Sequence, residues 1–505
     1  MVARAASRRR NMAAKAAQPA APFVQRQIPF FEFLDETGLA RIEAEADWLL
    51  EKKGIEFRDD PVALDIWQQG GAKLNGCTVR LPGGLARELI KTAPSEFVQL
   101  ARNPAKSVRI GGRNQVFAPV YGPPFVRDLA GGRRYGSLAD FEKLVKLTCQ
   151  LDGLHHGGFV TCEPCDLPVN KRHLDMLYCH MRWSDKPHLG AITNAERAAD
   201  SVAMAALLFG AEVLENNCVI MGNVNTNSPL MVDKVVTEAI RTYCGAGQGI
   251  VVAPFILGGA MGPVTTAASL AQALAEAMAC AAFSQLVRPG APFVLGSFLS
   301  SMSLKSGAPT FGMPEPVASN YVAGQLARRL GLPLRCGGAL TASKLPDAQA
   351  AYETADSLQS TLLAGANFVL HSAGWLESGL VTSFEKLVMD ADRLGAYQKL
   401  LGGVATDDNA LGRQAFEEIT PAGHYLGSAH TMENYRTAYY EAACSDSESF
   451  EQWSEAGGMD TAERAAQRVA ELLDQYQPPQ MDPDKEAALL DYVARRKAEM
   501  PDAWY

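Results

Sequence analysis

No run of about 18 uncharged apolar residues occurs in the sequence, so no segment reads as a membrane span. The opening stretch MVARAASRRRNMAAKAAQPAAP lacks the apolar middle of a secretory signal. It is Arg- and Ala-rich and free of acids up to Glu32, a composition expected of a disordered basic tail and shared by mitochondrial presequences. Beyond residue 26 no long basic stripe appears and the net charge is -9, which argues against a nucleic-acid groove. Cysteine is sparse: ten in 505 residues, placed singly except in Cys162-Glu-Pro-Cys165, a reduced pattern and not a disulfide framework. Neither Gly-x-Gly-x-x-Gly nor Gly-x-x-x-x-Gly-Lys-[Ser/Thr] follows a first strand, which argues against nucleotide cofactors. No Gly-x-Ser-x-Gly elbow sits at a strand-to-helix turn, although Ser297 follows Gly296 in VLGSFLS. The expectation is a cytoplasmic enzyme acting on a small molecule, with neither nucleic acid nor membrane as partner.

What is present is a core-forming composition, 47% hydrophobic, arranged in a regular beat. Residues 1–26 read as the tail and 27–135 as a helical and small-β region. Its first helix runs through FFEFLDETGLARIEAEADWLLEKKG, with Asp35 as cap and Gly54 as stop. From 136 to 440, short apolar runs alternate with Ala-rich helical stretches. Strands are expected at 156–160, 188–193, 218–224, 250–256, 292–299, 332–338 and 367–373. Apolar strands alternating with helices mean a parallel sheet buried on both faces. Seven units approach a (β/α)8 TIM-type barrel of the α/β class, the eighth strand lying near residue 117 or beyond 400; a doubly wound open sheet is the alternative. Residues 441–505 read as C-terminal helices, and the chain is expected to form a homo-oligomer.

In such a barrel the chemistry gathers at the C-terminal ends of the strands. That rule selects Thr161, Asn194, Asn223 with Asn225, Phe298, Gly338 to Lys344, and His371 with Trp375. The Gly-Pro-Pro loop of VYGPPFVRD adds Tyr121 and Phe125 as a fixed aromatic platform, with Phe311 a further aromatic. Aromatic faces hold quaternary ammonium groups at about 0.5–2 kcal/mol each, and an amide with an imidazole could take a carboxylate on the same ligand. Packing and turn roles compete for His371 and the asparagines. His155, His156, Cys162, Cys165, His173 and His180 cluster in sequence, but their spacing matches no regular zinc pattern, and no metal site is expected.

The stretches GPVTTAASLAQALAEAMACAAFSQLVRPGAPFVLGS (262–297), GAPTFGMPEPVASNYVAGQLARRLGLPLRCGGALTASKLPDAQAAYE (307–353), LLAGANFVLHSAGWLESGL (362–380) and HYLGSAHT (424–431) resemble the trimethylamine methyltransferase superfamily. Founding members of that family carry pyrrolysine near the stretch that here runs Cys336 to Ser343. Only ordinary residues stand there, so the chain resembles the non-pyrrolysine branch, whose members demethylate quaternary amines such as glycine betaine. The resemblance implies a (β/α)8 barrel and a methyltransferase that passes a methyl group to Co(I) of a separate corrinoid (cobalamin) protein; transfer to tetrahydrofolate is the alternative acceptor. No tightly bound cofactor is implied. Asn223 and His371 would hold the substrate with Tyr121 as a third member, while Phe125, Asn225, Phe298 and Trp375 complete the candidate pocket. Gly337, Gly338 and Lys344 would form its wall. Competing readings are a non-catalytic betaine-binding barrel and zinc-dependent methyl transfer from a thiol or alcohol.

Overall fold

The computed structural model describes residues 21–504. At its centre lie six parallel strands: β1 (Asn114–Phe117), β2 (Met221–Val224), β3 (Gly249–Val252), β4 (Phe293–Gly296), β5 (Leu334–Gly337) and β6 (Phe368–Leu370). Their spatial order is β2-β3-β4-β5-β6-β1. Every residue of these strands is buried, as expected for a sheet covered on both faces. The helices Lys234–Gly245, Thr266–Val287, Pro314–Leu330 and Ala348–Ala364 connect β2 through β6 in turn. Beyond β1 the sheet continues antiparallel through Val108–Gly111 and Glu96–Gln99.

The result is a curled half-barrel, where a closed barrel of eight strands was expected. The strand looked for near residue 117 is β1. The expected strands 156–160 and 188–193 run instead as irregular backbone. Local sequence explains this: His-His-Gly-Gly includes Gly158 at φ +68, and Pro187 has no N–H to donate. Even so, the Phe117 carbonyl accepts from the N–H of both His155 and His156, Gly157 donates to Pro187, Leu189 to Gly158 and Gly190 to Met221, all at 2.8–3.1 Å. Two irregular segments thus bridge β1 to β2.

Side chains fasten those segments. His155 Nδ1 accepts from Phe117 N–H at 3.2 Å and His156 Nε2 pairs with Gln99 at 3.1 Å. His180 Nε2 meets the Phe159 carbonyl at 2.8 Å, and its ring stacks 5.3 Å from that of His188. Lys186 Nζ donates to the carbonyls of Thr148, Leu151 and Leu154 at 2.7–3.0 Å, and burial lowers its pKa to about 8. His173 lies elsewhere, on Asp200 at 2.9 Å, where Tyr492 and Arg496 of the terminal helix Pro483–Glu499 also converge at 2.7 Å. The sequence-adjacent histidines are therefore structural fasteners on separate partners.

The outer elements follow their local signals. Asp35 caps Glu36–Trp48, and the helix continues as a wide turn over Leu49–Lys53 to Gly54 at φ +82. Residues 1–20 of the expected tail lie outside the described residues; its end is built into the fold, with Val24–Gln25 paired to β1 and Arg26 buried. The C-terminal region carries helices at Phe450–Glu455, Thr461–Asp474 and Pro483–Glu499. Among the described residues one helix, Thr266–Val287, is long and apolar enough to cross a membrane, but 89% of its apolar window is buried inside the fold.

Burial sets how the fold responds to acid. It pushes the pKa of His155 and His180 to about 3 and of His188 to about 4, so all three are neutral when folded and titrate near 6.5 when unfolded. The unfolded chain therefore binds more protons below pH 6.5. Stability should be level in this respect above pH 6.5 and fall by about 1.4 kcal/mol per pH unit per histidine between 6.5 and 4. Thermal melts from pH 8 to 4 should show Tm dropping steeply below 6.5, and replacing His188 with Gln should reduce that slope.

Candidate functional site

A gathering of polar and aromatic side chains lies at the C-terminal ends of β4, β5 and β6. β5 carries Arg335, 1% exposed, its guanidinium 5.1 Å from the ring centre of Phe298. Its Nε and Nη1 are buried without a hydrogen-bond partner, and among the described residues it forms no ion pair. Burial lowers its pKa to about 10, leaving it charged at neutral pH. A buried cation with unspent donors is costly unless an anion arrives to meet it.

His371, just past β6, stands beside it. Its ring lies 5.6 Å from Phe298 and 4.5 Å, edge-on, from Trp375. Nδ1 accepts from the Tyr121 N–H at 3.2 Å, which leaves the proton of a neutral imidazole on Nε2. Burial and the positive charge of Arg335 hold its pKa well below the usual histidine value. The imidazole is a neutral donor, not an acid. Its backbone sits at φ +60, a costly conformation for a non-glycine residue and one that marks sites where geometry is imposed. It is pinned there: His371 N donates to Pro119 at 3.1 Å, and its carbonyl accepts from Ala339 at 2.7 Å.

Gly338 makes that clamp possible. A Cβ there would lie 2.8 Å from the Ser372 Cα, so only glycine lets the end of β5 approach the His371 loop. Trp375 Nε1 donates to the Thr341 carbonyl at 3.0 Å, and Phe255, Phe298, Phe311 and Trp375 contact one another at 5.1–6.2 Å. Further round the sheet, the Asn223 Oδ1 at the end of β2, Ser297 Oγ after β4 and Thr161 Oγ1 are also buried without partners. Unsatisfied polar atoms thus recur at one end of the sheet, where polar groups are otherwise paired.

The structure sorts the sequence candidates. His371, Trp375, Phe298 and the Tyr121 backbone come together; the half-buried Tyr121 phenol has its pKa raised by burial first and then by Glu163. Asn223 shares the sheet end, its side-chain oxygen buried without a hydrogen-bond partner. Asn225 is exposed, and Asn194 caps the helix Ala195–Phe209. Phe125 lies apart, in a strand paired with Val381–Ser383, its face covered by Arg133 at 3.6 Å. Lys344 is exposed and returns to its own loop, donating to Ala342 at 2.9 Å, so it forms no cavity wall. Gly337 packs on Leu340 behind the loop.

Arg335 is the residue that the sequence reading missed. Its signal was one charge inside the apolar strand LPLRCGG, where an arginine needs a reason to be buried. Helix carboxylates that brace the loops were missed as well. Glu276, inside the Thr266–Val287 helix, accepts from Thr226, Ser228, the Leu230 N–H and Gln272 at 2.5–2.9 Å, fixing the loop after β2. Glu353 does the same for Thr341 and Ala342, and Asp390, paired with Lys386, holds the Gly374 N–H. Glu276→Ala strands four donors and should cost about 3 kcal/mol in urea unfolding, with Glu276→Gln recovering part of it. Arg335→Met removes an uncompensated charge and should leave Tm unchanged or raise stability by about 1–3 kcal/mol; a loss of Tm would show that the guanidinium is structural.

Unpaired polar groups at the C-terminal ends of parallel strands mark the place where α/β proteins bind small molecules. The family model described as trimethylamine methyltransferase matches residues 2–501. Glycine betaine methyltransferase of Desulfitobacterium hafniense strain Y51 is 36% identical over 474 residues, 94% of this chain and 98% of that protein. Trimethylamine methyltransferase of Desulfitobacterium hafniense strain DCB-2 is 27% identical, covering 88% of this chain and 89% of that protein. Proline betaine:corrinoid methyltransferase of Eubacterium limosum is 26% identical, covering 78% and 82% respectively. The chain is a methyltransferase and belongs to the trimethylamine methyltransferase family.

Proposed function

We propose that the chain removes a methyl group from a carboxylate-bearing quaternary amine of the glycine betaine type and passes it to Co(I) of a separate corrinoid protein. One observation carries the substrate class: the buried, unpaired Arg335 guanidinium beside the neutral His371 N–H. Two unspent donors beside one ring, that of Phe298, suit one carboxylate. An aromatic wall of Phe298 and Trp375 next to them suits the trimethylammonium end, and the Asn223 carbonyl oxygen is a free acceptor for its polarised methyl hydrogens. The names of the relatives, which include glycine betaine, proline betaine and L-carnitine enzymes, support the same class.

The chemistry fits the groups present. The methyl C–N bond breaks with its electron pair going to nitrogen, while the acceptor's pair forms the new bond to carbon. A quaternary ammonium leaves as a neutral tertiary amine, so no proton has to be supplied to the leaving group. The protein's task is to hold the C–N bond in line and exclude water. Arg335 and His371 hold the carboxylate, the rings desolvate the cation, and the braced loops keep both in register. A corrinoid in its Co(I) state supplies the nucleophile, brought by its own protein to the open end of the strands. In this reading the irregular segments 155–158 and 187–190 serve as the two remaining staves of an eight-unit barrel, and the protein works in the cytoplasm.

The test is a product assay. Purified protein is mixed with glycine betaine and, in parallel, a Co(I) corrinoid protein or tetrahydrofolate; dimethylglycine is expected in the corrinoid arm. Silence with glycine betaine, carnitine and proline betaine alike would remove the reading, and product in the folate arm alone would change the acceptor. Arg335→Met should lower kcat/KM for glycine betaine at least 100-fold while affecting turnover of a quaternary amine without a carboxylate far less.

A further inference from the structure

The site is shut. Arg335, Asn223, His371 and Trp375 are each no more than 6% exposed, so a substrate cannot reach them while every element keeps its place. Over the strand ends lies a small apolar cluster, separate from the main core, in which Val120, Phe311, Leu340 and Trp375 pack together with Phe298. Its rings touch: the centroids of Phe298, Phe311 and Trp375 stand 5.7–6.2 Å apart, the spacing of aromatic pairs in direct contact. A cation held between two facing rings parts their centroids to roughly 8–10 Å. A trimethylammonium group therefore meets a wall here, with no gap among the three rings.

One ring is held less firmly than the others. Trp375 is fixed by its Nε1 on the Thr341 carbonyl at 3.0 Å and by Gly379, where a Cβ would lie 2.5 Å from the indole. Phe298 opens the strand Phe298–Met302, whose first three residues pair in parallel with Phe255–Leu257. Phe311 rides on the part that leaves this pairing. From Ser301 the chain runs out through an exposed turn, with Leu304 94% exposed, and returns as Pro309–Thr310. That return ladder spans two residue pairs, Ser301 with Thr310 and Met302 with Pro309, and proline brings no N–H to it. Hydroxyls supplement it, Ser301 Oγ meeting Thr310 Oγ1 at 2.7 Å and Ser300 Oγ donating to the Thr310 carbonyl at 2.9 Å. Of residues 303–315 Phe311 alone is buried. The segment is a strap with one ring turned inward.

Its surroundings allow it to lift. Gly312 stands at φ +66, so close to the helix Ala348–Ala364 that a Cβ would lie 2.5 Å from the Glu353 Cα. Beside the strap an open groove of about 510 Å³, bordered by Val264, Met302, Leu304 and Met313, leaves room for the swing. Depth orders the ligand: Arg335 belongs to β5 itself, whereas Phe311 and Trp375 lie beyond the strand ends. A molecule whose carboxylate meets Arg335 turns its ammonium end to these rings. We infer that residues 301–313 form a gate hinged between Ser300 and Gly312, that Phe311 is its plug, and that the substrate's trimethylammonium group takes the place of that ring. The methyl group to be transferred then faces the opening the ring has left, so the acceptor meets only a loaded site. The part given to the ammonium rests on the substrate class proposed above; the gate itself does not.

A cysteine at Val120, fully buried in the cluster beneath the plug, reports the opening. In Val120→Cys protein, alkylation of that thiol by a maleimide, followed by peptide mass so that the native cysteines do not interfere, should be slow. Adding Phe311→Ala should quicken it at least 100-fold, and adding Gly312→Ala, which pushes the strap off Glu353, at least 10-fold, each with helical circular dichroism unchanged. Labelling that neither substitution accelerates would overturn the gate whatever the substrate. In stopped-flow tryptophan fluorescence, the rate of glycine betaine binding should level off at high ligand in the wild type, where opening limits it, and rise linearly in Phe311→Ala. A linear rise in the wild type would overturn the gate's control of entry. A reporter that responds in protein that binds no betaine would uphold the gate and remove the substrate reading instead.

Discussion

A positive charge kept in an apolar wall without a counter-ion is the constraint around which the site is organised. Arg335 sits in a strand whose other residues are there to be packed, and the described residues give it a phenylalanine face but no carboxylate. Such a charge weakens the native state unless it is used. Its field also sets the character of its neighbour, since the same positive potential helps keep the His371 imidazole neutral and available as a donor. Electrostatic preorganisation of this kind exchanges some folding stability for a fixed welcome to one kind of anion.

Holding that arrangement requires loops that do not move. The strand ends are short, and the segments beyond them would be free if only backbone bonds secured them. Three helix carboxylates supply the fixing: Glu276 for the loop after β2, Glu353 for the loop after β5, and Asp390 for the loop after β6. Each lies on a helix packed behind the sheet, so the rigidity of the layer is transmitted to the residues in front of it.

Much of this was legible in the chain because period and composition are local. The βα beat and the capped first helix follow from short-range signals, and the grouping of His371 with Trp375 and Phe298 follows from their shared place at strand ends. Two strands were not found as written. The segments 155–158 and 187–190 have the apolar content of strands, but glycine and proline deny them the ladder, and buried histidines take over its work. That exchange depends on pairings between residues tens of positions apart, such as His156 with Gln99. Phe125, which read as a platform residue, fails for a more local reason, since a tight hairpin folds Arg133, eight positions on, over its face. Arg335 was visible as an oddity in LPLRCGG, but its lack of a partner is a fact about every other residue in the fold.

The left-handed backbone at His371 carries a consequence for how this position can vary. Branching at Cβ is strongly disfavoured at φ +60, so valine, isoleucine and threonine would strain the loop before any question of chemistry arises. Side chains unbranched at Cβ can follow this backbone, as Leu230, Glu377, Ser378 and Ala422 do elsewhere in the chain, but glycine, asparagine, aspartate and histidine adopt it at least cost. Among those four, histidine alone offers a ring for Phe298 and Trp375 to grip.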